Sequence, residues 1–414
     1  MIRFKKREFF LQSTNVKIFG IAGWRVIPDE PRHNTWHNAL SDAAKEMNLD
    51  LEYLGLSNTH KLNWIQQVFP DSILRRFPYV NIFSISRIVK RIRSSRSDKT
   101  VIYIFEGSFF WIFLLSSIRV FVPNCVVICN LFPSNTYDYR FFKNEKMKLW
   151  YRIFFKLTEK HDDIVVTFDT QLMTKKVNQY IRKQIIRFPV PASFPPNERG
   201  PLTTAGHHRV LVNLRSFQIE GLHFLLQNSC KECNFVLPRG PLATTPLSIE
   251  FGKYSNASFD DGVIPVSEYQ NYFDSFNYMI FLYEPTINAT GRLLDSITRG
   301  IPICVPRQAT EWSYIAKTWG RSNLFDWQSP ADIAKAFNHP VFQVPTSNSE
   351  PPFTPQGSLK EILEIGTQSL ERRITHKLHS KIIILTALFL HSTILALVNA
   401  PYRIFFKLKA VIAR

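Results

Sequence analysis

The sequence predicts an α/β protein with two Rossmann-like domains. Short apolar runs of strand length alternate with amphipathic helical segments, which is the pattern of parallel sheets covered by helices. The chain has 414 residues, and a single hydrophobic core stops growing near ~250–300 residues. A segment rich in proline and threonine, 193–208, divides the alternating pattern into two halves. These observations predict one α/β domain on each side of that segment.

The first half, 1–195, opens as a strand, a glycine-containing loop, a helix and a second strand. Val16–Ile21 is the first predicted strand, and a polar loop over 28–33 follows it. Asn34 or Thr35 caps the next helix, which is expected to end near Met47. The loop lacks the G-x-G-x-x-G pattern, so no dinucleotide site is predicted there. The further predicted elements are a helix at 82–92, strands at 100–105, 126–129, 164–168 and 185–191, and helices at 109–122 and 143–161.

The second half, 205–340, is centred on the stretch 277–306. Tyr278–Leu282 is an apolar strand, and a polar loop leads from it to Gly291, which opens an amphipathic helix. Gly300 and Pro302 end that helix before the next strand. An anion at Gly291 would meet unpaired backbone N–H groups and the positive end of the helix dipole. Other predicted elements are strands at 209–214, 234–237 and 262–265 and helices at 267–276, 312–319 and 330–337.

This stretch resembles the nucleotide-sugar site of GT-B-type bacterial glycosyltransferases. Asp295, Gly300 and Pro302 reproduce the part of that site in which an acid precedes Gly-x-Pro by five residues. The family's usual acid pair is spaced E-x7-E, whereas Glu284 lies eleven residues before Asp295, which leaves retaining or inverting chemistry open. The resemblance implies two domains that face each other across a cleft. It also implies that Glu284 and Asp295 bind donor hydroxyls and take part in catalysis.

The same resemblance assigns further residues to the donor site. Arg215 matches an arginine that contacts the donor diphosphate, and Gly221 matches a helix-opening glycine. Glu220 stands where that family has a lysine, which removes one phosphate contact. The remaining donor candidates are Asn288, Thr290, Gly291 and Arg292. In the first domain the acceptor-facing loop contains Arg25, Arg32 and His33, of which His33 is the candidate catalytic residue; an ordinary solvated loop is the alternative.

The C-terminal region is predicted to hold a helix that crosses back to the first domain, at 358–379, and a hydrophobic and basic tail at 381–414. The motif YRIFFKL occurs at 151–157 and again at 402–408. Two core-facing helices would explain this repeat, and so would two helices that dock on anionic lipid. The stretch 382–398 is nearly uncharged and close to the minimum length of a membrane span, but its hydroxyl groups and His391 favour interfacial docking.

The amino-acid composition indicates which class of molecule the protein binds and which compartment it occupies. The net charge of +18 indicates an anionic partner, and basic residues interleaved with aromatic ones favour a membrane surface over nucleic acid. Five cysteines, with a lone C-x-x-C at Cys230 and Cys233, favour a reducing compartment over a disulfide framework. The basic N-terminus lacks the long apolar core of a secretory signal. We predict no metal and no cofactor beyond a nucleotide-sugar co-substrate.

The resemblance implies a glycosyltransferase of cell-surface polysaccharide synthesis, and the charge and apolar patterns add an anionic membrane surface as partner. The enzyme would move a sugar from a nucleotide diphosphate donor to a lipid-linked glycan acceptor. Its expected location is the cytoplasmic face of the inner membrane, where it is held as a peripheral or monotopic protein. Two alternatives stay open: a nucleotide-sugar epimerase on the same fold, and a non-enzymatic scaffold on anionic membrane.

Overall fold

The computed structural model of the chain describes residues 16–21, 31–54, 82–95, 97–107, 117–131, 159, 161–168, 174–175, 178, 186–187, 192–194, 196, 208–214, 219–228, 232–238, 251–260, 266–282, 291–338, 341–371, 381–383, 385–387, 389–390 and 393. These residues form two separate parallel sheets of six strands each. The predicted fold class, two Rossmann-like α/β domains, is therefore confirmed.

The first sheet has the strand order β2-β1-β3-β4-β5-β6. Its winding direction reverses between β1 and β3, the adjacent strands at its switch point. The strands are β1 (Val16–Ile21), β2 (Asp50–Leu54), β3 (Lys99–Gly107), β4 (Cys125–Leu131), β5 (Ile164–Phe168) and β6 (Ile186–Arg187). The helices described in this half are α1 (Pro31–Glu46), α2 (Ile82–Ser94) and the short α3 (Ile118–Phe121).

The second sheet has the order β12-β11-β10-β7-β8-β9, which is the doubly wound order of dinucleotide-binding folds. The strands are β7 (His208–Leu214), β8 (Cys233–Pro238), β9 (Ala257–Asp260), β10 (Tyr278–Leu282), β11 (Ile303–Pro306) and β12 (Ser322–Phe325). The helices described here are α4 (Ile219–Asn228), α5 (Val266–Asp274), α6 (Gly291–Thr298), α7 (Thr310–Trp319) and α8 (Pro330–Asn338). The switch point of this sheet lies between β7 and β10.

Several element boundaries differ from the sequence prediction. Helix α1 begins at Pro31, because proline is favoured in the first turn, so His33 lies in a helix and not in a loop. The strand before α5 is β9, whereas the predicted 262–265 lies outside the described residues. Strand β12 was not predicted, because only half of its SNLF sequence is apolar. Gly300 ends α6 as predicted, with φ of 63°.

A long C-terminal helix, α9 (Pro355–Leu370), packs against strands of the first sheet. It begins before the predicted residue 358, because Thr354 caps it by accepting the Gly357 N–H at 2.9 Å and Pro355 fills its first turn. A Cβ on Gly366 would stand 2.5 Å from Val101 Cγ2, so the helix backbone approaches β3 closely. Among the described residues, no helix combines the length and the apolar composition that a membrane crossing requires.

Candidate active site

Two candidate residues follow, along the chain, the neighbouring strands at the switch point of the second sheet. Strands β7 and β10 run in register as far as Leu214 and Leu282, and the chain continues from them to Arg215 and Glu284. Ligands of doubly wound folds bind at this carboxyl edge. Arg215, Glu284, Asn288 and Thr290 lie outside the described residues, so their roles stay predictions.

Helix α6 points its first turn at the same edge, since it follows β10 along the chain. Gly291 is its first residue and Arg292 its second, and both are half-buried. The side chains of Leu293, Leu294 and Ile297 anchor the helix in the core. The N-terminal N–H groups of a helix carry partial positive charge, which favours a negatively charged ligand beside them.

A buried asparagine holds Arg292 against the sheet. Arg292 Nη1 donates a hydrogen bond to Asn213 Oδ1 at 2.8 Å, and Asn213 Nδ2 donates to the Ile280 carbonyl oxygen at 3.3 Å. Asn213 is 0% exposed and lies in β7, between residues that are apolar. Asn213 is not among the residues predicted from the sequence, although a lone amide after the apolar run Val210–Val212 is a visible signal.

Gly221 lies in the first turn of α4 and is buried. This helix is the next described element after β7, one of the two strands at the switch point. Its predicted contact with a nucleotide stays a prediction.

The first domain meets the beginning of α6 through an aromatic side chain. Trp36 lies on α1 and is 8% exposed, and a Cβ on Gly291 would stand 3.1 Å from Trp36 Cζ2. Glycine therefore leaves room at this position for the indole ring of the opposite domain. His33 lies three residues before Trp36 on the same helix, and its place at the acceptor side of the cleft stays a prediction.

Asp295 takes part in a contact that its sequence motif does not suggest. Its side chain is 3% exposed; Oδ1 accepts the Ser193 backbone N–H at 2.6 Å, and Oδ2 accepts the Ser193 hydroxyl at 3.2 Å. Both carboxylate oxygens are thus engaged by the segment that links the two sheets. The predicted hydrogen bonds from donor hydroxyls stay a prediction, and they would have to be made in addition to this contact.

The linking segment is also held on its other sides. The Ala192 N–H donates to the Phe353 carbonyl oxygen at 2.7 Å, just before α9 begins. Phe194 packs on two rings of α5, with centroid distances of 5.5 Å to Tyr269 and 5.6 Å to Phe273. The chain passes between the domains twice, once near Ser193 and once just before α9. These two segments therefore lie side by side, and Asp295 binds the first of them to α6.

A row of polar side chains lies on the face of the first sheet that α1 and α9 cover. His37 of α1 packs edge-on against Tyr53, with ring centroids 4.4 Å apart. Thr167 Oγ1 donates to Asn130 Oδ1 at 3.1 Å, and both side chains are buried. Burial raises the pKa of Tyr103 well above its ordinary value, so this phenol keeps its proton. These groups can donate and accept hydrogen bonds. Tyr103, Asn130 and Thr167 are buried and belong to the domain core, whereas His37 and Tyr53 are half-buried.

Several charged groups elsewhere in the described part of the first domain form ion pairs. Lys17 lies 3.1 Å from Asp50 and 3.2 Å from Glu52, and the Arg91 hydrogen bond lowers the pKa of Glu52. Arg119 and Asp163 form a buried ion pair at 3.1 Å. Within the described ranges, no cluster of three or more His, Cys, Asp or Glu residues has the arrangement of a metal site.

Comparison with known proteins rests on structure, because no protein-family model and no curated protein matches this sequence. The solved UDP-GlcNAc 2-epimerase of Methanocaldococcus jannaschii superposes with a TM-score of 0.50 at 13% identity, covering 85% of this chain and 99% of that one. The chain has the GT-B fold. The predicted fold class, two Rossmann-like domains in the GT-B arrangement, is therefore confirmed.

Two further solved structures are similar to the chain at lower scores. The α,α-trehalose-phosphate synthase (UDP-forming) of Burkholderia vietnamiensis has a TM-score of 0.49 and 11% identity, with 86% of this chain and 96% of that chain covered. Staphylococcus aureus TarM, solved with fondaparinux, α-GlcNAc-glycerol and UDP, has a TM-score of 0.41 and 11% identity, with 74% and 59% covered.

Proposed function

We propose that the chain is a nucleotide-sugar-dependent glycosyltransferase that acts on a lipid-linked glycan acceptor. One observation carries the proposal: the GT-B cleft has Gly291 and Arg292 at the first turn of α6, beside the β7–β10 switch point of the donor-side sheet. A cation and helix N–H groups at that place suit the diphosphate of a nucleotide sugar.

The proposed mechanism divides the work between the two domains. Arg215, Arg292 and the N–H groups of α6 bind the diphosphate, and they stabilise the charge that develops on it as the sugar leaves. Glu284 accepts hydrogen bonds from donor hydroxyls, and Asn288 and Thr290, in the loop that follows it, also bind the donor. Asp295 fixes the linking segment beside α6 and accepts from the donor only with its remaining lone pairs. His33, on the first domain, acts as the base for the acceptor hydroxyl.

The proposal is tested by Arg215→Ala. This substitution is expected to weaken uridine diphosphate binding by about 1.5–3 kcal/mol, the range for a hydrogen bond to a charged group. Calorimetric titration of the purified chain measures the loss. The matched control is Arg209→Ala, at the opposite end of β7, where Arg209 Nη1 donates to Ser275 Oγ at 2.6 Å and should not contact the nucleotide. Equal affinities of the Arg215 variant and wild type would remove Arg215 from the site.

The epimerase alternative predicts a different product from the same donor. Incubation with UDP-GlcNAc and no acceptor would convert the sugar to its epimer, whereas a glycosyltransferase needs a second substrate to turn over. Product analysis by nuclear magnetic resonance separates the two. Epimerisation at a steady rate without acceptor would overturn the transferase assignment and leave the nucleotide-sugar site in place.

The proposal includes a position on the cytoplasmic face of the inner membrane. The described residues of 381–393 expose large apolar side chains: Ile382 at 55%, Ile383 at 63%, Leu385 at 44%, Phe389 at 66% and Leu390 at 60%. The sequence on either side is basic, and the whole chain carries a charge of +18. Apolar insertion together with roughly 1 kcal/mol per basic residue near an anionic surface favours interfacial docking.

Removing the apolar contact should release the protein from lipid. The double variant Phe389→Asp/Leu390→Asp is expected to stay in the supernatant when it is centrifuged with phosphatidylglycerol vesicles, whereas wild type sediments with them. Val341→Asp/Val344→Asp is the matched control, since these valines are also exposed, at 76% and 79%, but lie outside the tail. A chain truncated after His379 should behave like the first variant and still bind uridine diphosphate. Wild type that stays in the supernatant at low salt would contradict the docking proposal.

A further inference from the structure

We propose that Asn213 is a positioning residue that holds the Arg292 guanidinium in the orientation needed to bind the donor diphosphate. The inference rests on the proposed function, because it assigns a task within that same site. Asn213 would not touch the nucleotide itself; it would act through Arg292.

The placement of Asn213 is difficult to explain by packing alone. It occupies β7, a strand paired on both sides with β8 and β10, and is 0% exposed. Burying an amide is unfavourable unless its hydrogen bonds are made inside the protein. Its Nδ2 donates to the Ile280 carbonyl oxygen of the adjacent strand, which fixes the plane of the amide. The other end, Oδ1, is thereby directed at Arg292.

The contact limits where the arginine can point. An unrestrained arginine side chain loses considerable rotamer entropy when it binds a ligand. The bond from Nη1 to Asn213 uses one of the five N–H donors of the guanidinium and fixes the plane in which the others lie. A diphosphate at the first turn of α6 would then meet a guanidinium that is already oriented.

The test is a double-mutant cycle on uridine diphosphate binding, measured calorimetrically on the full chain. Arg292→Ala is expected to weaken binding by about tenfold to a hundredfold, and Asn213→Leu by about tenfold. If Asn213 acts only through Arg292, the double variant should bind no more weakly than Arg292→Ala alone. A merely structural asparagine would lower affinity by the same factor in both backgrounds.

A second variant and a matched control complete the experiment. Asn213→Ser is a second variant, too short to reach Nη1, for the case in which the leucine variant does not fold. Asn277→Ala is the matched control, because Asn277 Oδ1 also accepts a hydrogen bond, from the Arg209 N–H at 2.8 Å, but at the opposite edge of the same sheet. It should lose thermal stability and keep wild-type affinity.

Failure of the positioning role and failure of the proposed function give different results. If Arg292→Ala weakens binding and both Asn213 variants bind as wild type, or if the two losses multiply in the double variant, the positioning role is wrong and the nucleotide site stands. If wild type binds none of the common nucleoside diphosphates, the proposed function fails and this inference fails with it.

Discussion

Replacing Asp295 by alanine is expected to lower the free energy of unfolding by about 2–4 kcal/mol, since hydrogen bonds to a charged group contribute about 1.5–3 kcal/mol each. The carboxylate is 3% exposed and accepts both the backbone N–H and the hydroxyl of Ser193. Its removal leaves a buried N–H without this acceptor in the segment that joins the two sheets. Calorimetry and denaturant titration measure the loss, and the single unfolding transition should separate into two as the domains uncouple.

Two substitutions control this experiment. Asp295→Asn keeps the size and one acceptor, so it should cost less than alanine. Asp332→Ala is the matched control, because Asp332 also accepts a backbone N–H, from Asp326 at 2.5 Å, but within one domain and at a half-exposed position. It should leave the coupling of the domains unchanged. An Asp295→Ala variant that unfolds at the wild-type midpoint would show that the carboxylate does not support the linking segment.

The fold could be predicted from local sequence pattern, because each buried parallel strand is a continuous run of apolar residues. The run Tyr278–Leu282 is buried at every position, so five consecutive apolar residues predicted the strand without knowledge of its neighbours. Gly300 with its positive φ ended α6 where the sequence placed the end. Edge elements were harder to predict, since β12 lies at the edge of its sheet and half of its residues are polar.

The candidate site could be predicted only in part, because its contacts join residues far apart in sequence. Gly291 and Arg292 follow from the strand–loop–helix pattern alone. The partners of these residues do not: Asn213 lies 79 positions from Arg292, and Ser193 lies 102 positions from Asp295. The motif around Asp295 predicted an acid at the donor site, whereas the tertiary structure shows that the linking segment already uses that acid.

Replacing Gly291 by valine is expected to weaken uridine diphosphate binding by about 2–4 kcal/mol, roughly thirtyfold to a thousandfold. A Cβ at this position would stand 3.1 Å from Trp36 Cζ2, closer than side chains normally pack. The two γ-methyl groups of valine add to that crowding, so α1 and α6 must move apart, and the cleft opens beside the proposed diphosphate site. The added side chain also stands in front of the N–H groups that the phosphate would approach. Titration calorimetry measures the change.

The source of the loss is separated by a second substitution on the opposite domain. Trp36→Phe removes the six-membered ring that carries Cζ2, so it should restore part of the affinity if the Gly291→Val effect comes from forcing the domains apart. Gly320→Ala is the matched control, since its Cβ would stand 2.9 Å from Ile297 Cγ1, at the far end of α6. It should reduce stability and leave nucleotide affinity unchanged. A Gly291→Val chain that binds uridine diphosphate as wild type does would mean that the ligand does not approach the first turn of α6. Full affinity loss without any rescue by Trp36→Phe would instead place the effect in direct blockage of the N–H groups.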